Sequence, residues 1–319
     1  MTTKPVLGIS GCLTGSAVRF DGGHKRMSFV MDELAQWVNF RPVCPEMAIG
    51  LPTPRPALRL IVTTDGETQM RFSHAPHEDV TQKMADFAAD YLPKIGDLAG
   101  FIVCAKSPSC GMERVRVYDE NGNRGRKEGV GLFTAALLET WPWLPVEEDG
   151  RLHDPVLREN FVERVFALHE LNTLRKNGLT RRALLDFHSR YKLQLLAHHQ
   201  AGYREIGPFV ASLHEWEDLD AFFVAYREKL MTILKKPASR KNHTNVLMHI
   251  QGYFRNQLNS RQRGELRDVI LRYREGLLPI LAPITLLKHY LAEYPDQYLM
   301  TQNYFDPYPD DLGLRLAVK

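Results

Sequence analysis

Over the first 150 residues, short apolar runs alternate with segments of helical period. Residues 6–10 (Val-Leu-Gly-Ile-Ser) and 101–104 (Phe-Ile-Val-Cys) are flanked by glycine or turn residues and read as buried parallel strands, with a further strand expected at 40–43. Between them, 28–38 places Phe29, Val30, Leu34, Trp37 and Val38 on an apolar face, and 80–92 places Met84, Phe87, Ala88 and Tyr91 at helical spacing. Helices alternating with buried strands predict an α/β fold, a doubly wound, Rossmann-like parallel sheet. From Asp154 and Pro155 onward the period is helical. Leu157, Phe161, Val165, Leu168 and Leu171 recur at steps of three and four, as do Leu184, Phe187, Tyr191 and Leu195. Val246, Ile250, Tyr253, Phe254 and Leu258 continue the stripe, followed by Leu266, Ile270 and Tyr273. No internal repeat stands out, so the second half is expected to be one all-α helical domain. Pro145, Gly150 and Pro155 interrupt acidic and polar residues and mark the boundary, giving domains 1–150 and 151–319.

Composition narrows the class. Apolar residues make up 44% of the 319 and charged residues 25%, which excludes a disordered chain, a collagen-like repeat and a disulfide-dense miniprotein. No apolar run reaches the ~18–20 residues of a membrane span, and the first residues lack the apolar core of a signal peptide. A cytoplasmic chain without a membrane partner is expected. Charge is unevenly distributed: residues 1–150 carry 16 Lys+Arg against 19 Asp+Glu, whereas 151–319 carry 25 against 19 and hold 9 of the 12 histidines. A basic second half points to a polyanionic partner. Its cations cluster at Arg175-Lys176 with Arg181-Arg182, at Arg190 and Lys192, at Lys235-Lys236 with Arg240-Lys241, and at Arg255, Arg261, Arg263 and Arg267. Tyr191, His198, His199, His243 and Tyr253 are candidate stacking surfaces for splayed bases. A solvated helix surface over core tyrosines explains the same residues equally well.

The four cysteines lie in the first half. Cys12, Cys44 and Cys110 each follow the C-terminal end of an expected strand, the edge at which open α/β sheets bind ligands. Cys104 falls inside its expected strand and reads as a small apolar residue. Three thiolates from distant loops leave several readings open. They can be buried and inert, hold an iron–sulfur cluster with one iron open, or include a nucleophile, although no histidine lies in these loops. Structural zinc is disfavoured, since no close Cys-x-x-Cys pair is present.

Three blocks then carry a resemblance: Gly11-Cys12-Leu13-Thr14-Gly15 with Arg19-Phe20-Asp21-Gly22-Gly23, Cys44-Pro45-Glu46 through Gly50-Leu51-Pro52-Thr53-Pro54-Arg55, and Ser107-Pro108-Ser109-Cys110-Gly111. Together they resemble the thiouracil desulfidase family over roughly residues 5–148. The second half resembles an uncharacterised helical domain often fused behind it, through Phe187-His188-Ser189-Arg190-Tyr191-Lys192, the run from Asn242 to Phe254, and Gln302-Asn303-Tyr304-Phe305-Asp306-Pro307-Tyr308-Pro309. The two-domain form resembles desulfidases that remove sulfur from 4-thiouridine in tRNA. That resemblance implies a 4Fe–4S cluster on Cys12, Cys44 and Cys110, with one iron position open to substrate. It also implies an acid/base carboxylate at Glu46 and an active-site serine at Ser107.

The implied reaction is a hydrolytic exchange of sulfur for oxygen on a thiolated pyrimidine. It consumes no electrons and implies no nicotinamide or flavin. Polarisation of the thiocarbonyl by iron makes the ring carbon electrophilic, while Glu46 takes a proton from water and Ser107 binds substrate or relays that proton. Asp21, Arg55 and Lys106 are possible contacts for substrate or anion, with loop salt bridges and solvation as the plain alternatives. Two other functions share the motifs: a desulfidase of free thiouracil or thionucleosides, and a cluster-bearing RNA-binding or redox-sensing protein.

Overall fold

The computed structural model describes residues 3–75, 77–123 and 125–316. The chain divides into two compact units, Met1–Asp154 and Pro155–Lys319.

In the first unit, β1 (Val6–Ser10), β2 (Asn39–Val43), β5 (Gly100–Val103) and β8 (Val146–Glu148) form a parallel sheet in the order β2-β1-β5-β8, the Rossmann-like layer expected from the apolar runs. Gly8 in β1 lies directly under the buried ring of Phe101 in β5. A Cβ there would sit 2.3 Å from that ring, so only glycine permits this strand spacing. The 28–38 segment is helical but irregular, a π-type turn at Phe29–Glu33 followed by a 3-10 turn at Leu34–Gln36. The other helices of this unit are α1 (Pro45–Ala48), α2 (Thr81–Tyr91) and α3 (Leu132–Thr140).

A second sheet was not read from the sequence. It comprises β3 (Leu58–Val62), β4 (Thr68–Phe72), β6 (Val115–Asp119) and β7 (Arg126–Gly129), in the order β4-β3-β6-β7. Its outer pairs are antiparallel and its central pair is parallel. These strands escape an apolar-run search because arginines and lysines alternate with their buried residues. The acidic stretch taken as a linker also contains β8, and Glu147, Glu148 and Asp149 are buried. Each has partners there: Arg151 binds Glu147, the backbone N–H groups of Met112 and Glu113 donate to Glu148, and Lys25 and the Ala105 N–H bind Asp149.

Helix α3 fixes the loop that follows β5. The first N–H groups of a helix lack intrahelical partners, and here they find carbonyls of the 107–111 loop. Leu132 N–H donates to Pro108 (3.0 Å), Phe133 N–H to Ser109 (3.0 Å) and Gly131 N–H to Gly111 (2.7 Å), while the Thr134 hydroxyl donates to Cys110 (2.6 Å). The approach is so close that a Cβ on Gly131 would lie 2.5 Å from the Ser109 carbonyl carbon.

The second unit is helical: α4 (Pro155–Lys176), α5 (Arg181–His198), α6 (Gln200–Ala211), α7 (Leu219–Leu234), α8 (Arg240–Tyr253), α9 (Ser260–Arg274), α10 (Leu281–Glu293) and the short α11 (Gln297–Met300). Most of the stripe residues read from the sequence are core. Side-chain caps at Thr180, Asp218 and Ser239 and a capping box at Asn259–Gln262 set several helix starts.

Most of the candidate stacking rings belong to this interior. Tyr191, His198 and His243 are buried, and their polar atoms bind Glu170, Glu163 and Tyr304. His199 caps α6 through the Gly202 N–H, and Tyr253 alone of the five offers an exposed ring. Part of the positive surface is compensated as well, with Arg175 on Asp220 and Arg261 on Glu265. No helix among the described residues is long and apolar enough to cross a membrane.

A buried ion network ties the chain's end to α4. Arg315 binds Glu159 and Glu163 at 3.1 Å each, and His198 meets the other oxygen of Glu163 at 3.0 Å. Burial alone would raise the Glu163 carboxyl, but the His198 hydrogen bond and the adjacent Arg315 hold it at about 2.

Three outcomes follow. Arg315→Met strands two buried carboxylates and should lower stability by about 3–5 kcal/mol in urea unfolding, against under about 1 kcal/mol if the network is incidental. Because the Glu163 carboxyl is depressed, its contribution is present above the ordinary 4.5 and is lost as pH falls towards 2. Acid titration of Glu163→Gln should therefore show a shallower stability loss in that window. Gly131→Ala overpacks a backbone contact and should cost about 1–3 kcal/mol by the same assay.

Candidate active site

The C-terminal edge of the parallel sheet brings the cysteines together. β1 runs into a 3-10 turn, Gly11–Thr14, that carries Cys12. β2 leads to Cys44, the N-cap of α1, where Pro45 occupies the first helical position and needs no N–H partner. β5 ends at Val103, so Cys104 lies just past the strand rather than inside it. Its side chain lines the same pocket as Cys12, Cys44 and Cys110, a cavity of about 390 Å³ also bordered by Lys25, Glu46, Arg55, Lys106 and Ser107. The reading of Cys104 as mere apolar filling is thereby corrected.

All four thiols are free; Cys12, Cys104 and Cys110 are buried and Cys44 is half-buried. The neighbouring Cys104 thiol, with burial, pushes the Cys12 thiol up, and Cys12 in turn draws the Cys104 thiol down. Burial pushes Cys110 up to about 12 and raises Cys44 as well. Cys12, Cys44 and Cys110 are therefore weak nucleophiles unaided and ionise readily only when a bound cationic group offsets desolvation. Among the described residues, no three His, Cys, Asp or Glu side chains are grouped to hold a single metal ion. The thiols line a cavity, and an all-sulfur donor set suits an iron–sulfur group better than a lone hard cation. The residues present therefore fit a cluster.

Glu46 and Ser107 line this pocket and are joined behind it through a residue not singled out from the sequence. Ser109, 1% exposed, donates from Oγ to Glu46 Oε1 at 2.7 Å, and its Oγ lies 3.0 Å from Ser107 Oγ. Since the Ser109 proton points to the carboxylate, Ser107 is the donor to Ser109. Ser107 Oγ in turn accepts the backbone N–H groups of Ser109 and Cys110. The only sequence signal for Ser109 was its place beside Cys110.

Arg55 completes the chain. Buried at 7% exposure, it binds Glu46 Oε2 through Nε (2.8 Å) and Nη2 (2.7 Å). Its remaining N–H groups reach the carbonyls of Val18 and Pro52 and the Thr53 hydroxyl. The salt bridge expected as the plain alternative for Arg55 is thus present, buried and made to Glu46. Asp21 does not line the pocket; its Oδ1 accepts the Gly23 N–H in an exposed turn and faces Arg19. Lys106 does line it, on a backbone held at φ 65°, a region unusual for a side chain with a Cβ. Lys25 was missed; it borders the pocket and is anchored by Asp149 at 2.6 Å.

Family models match segments of both units. The family model described as 2-thiouracil desulfurase matches residues 7–149, and that of a protein of unknown function, DUF1722, matches residues 192–309. The uncharacterized protein YbgA of Escherichia coli (strain K12) is 52% identical over 152 residues, which is 48% of this chain and 90% of that protein. A solved structure of the 4Fe–4S-dependent thiouracil desulfidase TudS aligns with 50% of this chain and all of its own, at 30% identity and a TM-score of 0.38. The cysteine pocket lies wholly within the first matched segment. Residues 7–149 accordingly belong to the 2-thiouracil desulfurase family, and a domain matched by a family of unknown function follows in the chain.

Proposed function

We propose that the protein converts 4-thiouridine in tRNA to uridine and releases sulfide, using a 4Fe–4S cluster held by Cys12, Cys44 and Cys110. The supporting observation is that one pocket combines thiols from three strand ends with a serine–serine–carboxylate chain. When bound, the cluster supplies a thiophilic Lewis acid that polarises the thiocarbonyl. Cys104 is assigned no iron in this reading.

The chain's own groups handle water and protons. Arg55 fixes the Glu46 carboxylate by two bonds to Oε2, leaving Oε1 to Ser109. Glu46 takes a proton from the attacking water. That proton passes from Oε1 to Ser109 Oγ and on to Ser107 Oγ, reversing the resting direction of both hydrogen bonds, and returns to the pocket at the departing sulfur. The adduct's remaining hydroxyl proton is taken by Glu46 as hydrosulfide leaves and then reaches the sulfide, so water and thiocarbonyl give carbonyl and hydrogen sulfide with no change in electron count. The surplus of cations in residues 151–319 supports contact with RNA phosphates, and a tRNA substrate places the enzyme in the cytoplasm.

Anaerobic reconstitution tests each part. Cys12→Ser, Cys44→Ser and Cys110→Ser should lose bound iron, while Cys104→Ala should retain it; iron loss in Cys104→Ala would mean four thiol ligands and no open position. Glu46→Gln should keep iron and sulfide content but lose about 10²–10⁴-fold in turnover, and full activity would remove its role as base. Sulfide release from tRNA bearing 4-thiouridine, with free 2-thiouracil inert, is the expected substrate result. Turnover of the free base alone would overturn the tRNA assignment.

A further inference from the structure

Every strand of the parallel sheet delivers a residue to its C-terminal edge. Cys12 follows β1, Cys44 follows β2, Cys104 follows β5 and Asp149 follows β8. The strand order β2-β1-β5-β8 then sets their lateral sequence. Glu46, two residues past Cys44, belongs to one flank of this edge and Asp149 to the other, with Cys12 and Cys104 on the strands between them. Three strand spacings separate the flanks, a span of roughly 14 Å that a pyrimidine ring and two side chains can bridge.

Asp149 is buried, and both of its oxygens are occupied. Oδ1 accepts the Ala105 N–H at 2.7 Å, and Oδ2 binds Lys25 Nζ at 2.6 Å. The other end of Lys25 is fixed as well, because its backbone N–H donates to the Cys12 carbonyl at 2.8 Å. A long, flexible side chain is thereby pinned at both ends, against the entropy it would keep in solvent. Lys25 and Ala105 both line the thiol pocket, so the ammonium is held at the pocket's wall. Among the described residues Asp149 is its one ion-pair partner, which leaves two of the three ammonium N–H groups for a ligand. Lys106, the other lysine of the pocket, has no carboxylate anchor among the described residues.

We propose that Lys25 is a further catalytic residue, which donates a hydrogen bond to the ring carbonyl that a thiolated pyrimidine carries besides its thiocarbonyl. In 4-thiouridine that acceptor is O2. A donor on O2 draws the lone pairs of both ring nitrogens towards C2 and away from C4, which leaves C4 more open to water. A donor fixed before substrate arrives supplies this polarisation without reorganising. The sheet order keeps the ammonium on the flank away from Glu46, where it would otherwise pair with the base and weaken it. Asp149 is the positioning residue, since it holds Nζ. The identity of the ring as substrate rests on the function proposed above.

The test uses two RNA oligonucleotides on reconstituted protein, one with a central 4-thiouridine and one with its analogue lacking the 2-oxo group. The two rings differ in intrinsic reactivity, so the quantity read is how far the preference between them changes from enzyme to enzyme. K25M should lower the wild-type preference for 4-thiouridine in kcat/KM about tenfold or more, and K25R should keep most of it. D149N should lower the same preference by a smaller factor, which a merely structural ion pair would not do. Equal losses on both oligonucleotides in K25M would overturn the contact. K25M should also keep its iron and acid-labile sulfide; their loss would make Lys25 a part of cluster assembly and overturn the proposal. Should no thiolated RNA react with the wild type, the desulfidase reading fails, and equilibrium dialysis of uridine against pyrimidin-4-one riboside decides the contact. Uridine should bind about tenfold more tightly, and K25M should abolish the difference; equal binding by both would refute it.

Discussion

The buried pair between Arg55 and Glu46 joins the three cysteine loops. Arg55 binds the Val18 carbonyl in the segment after Cys12, the Pro52 carbonyl in its own segment, and Glu46 two residues past Cys44. Glu46 then receives Ser109, the residue before Cys110. Two charges taken out of water at this depth are tolerable only when their hydrogen-bonding groups are well occupied, and here the neighbours that occupy them come from the cysteine loops. The same bonds that neutralise the pair therefore fix where the thiols stand.

The parallel sheet and α3 supply the frame for that pair. Strand ends deliver Cys12, Cys44 and Cys104 to one edge, and the free N–H groups of α3 hold the carbonyls around Cys110. Cys12, Cys44 and Cys110, whose thiols are pushed up in this setting, suit a metal–sulfur group better than direct attack. The carboxylate and two serines form a continuous hydrogen-bonded chain, which the proposed function uses to carry a proton.

Much of this was legible in the sequence because the apolar strands and the three motif blocks are local signals. β1, β2, β5, α2 and the helical stripes fall close to their expected positions. Cys12, Cys44, Cys110, Glu46 and Ser107 all line one pocket. What was illegible depends on tertiary partners. Glu147, Glu148 and Asp149 look like a solvated linker until Arg151, Lys25 and backbone N–H groups are placed against them. Cys104 looks like strand interior because β5 stops one residue early. Ser109 is an ordinary turn serine until Glu46, 63 residues away, arrives at its hydroxyl. Tyr191, His198 and His243 carry polar atoms that suggested a surface, but each is buried with a partner for those atoms.

The central claim is a hydrolytic exchange of sulfur for oxygen in the thiol-lined pocket. It is tested most directly by running the reconstituted enzyme on 4-thiouridine tRNA in heavy-oxygen water without added reductant, then digesting the RNA and weighing the uridine by mass spectrometry. The account predicts one heavy oxygen in each uridine formed, matched by one sulfide released. Uridine without the label, or a reaction that proceeds only with a reductant, would contradict it.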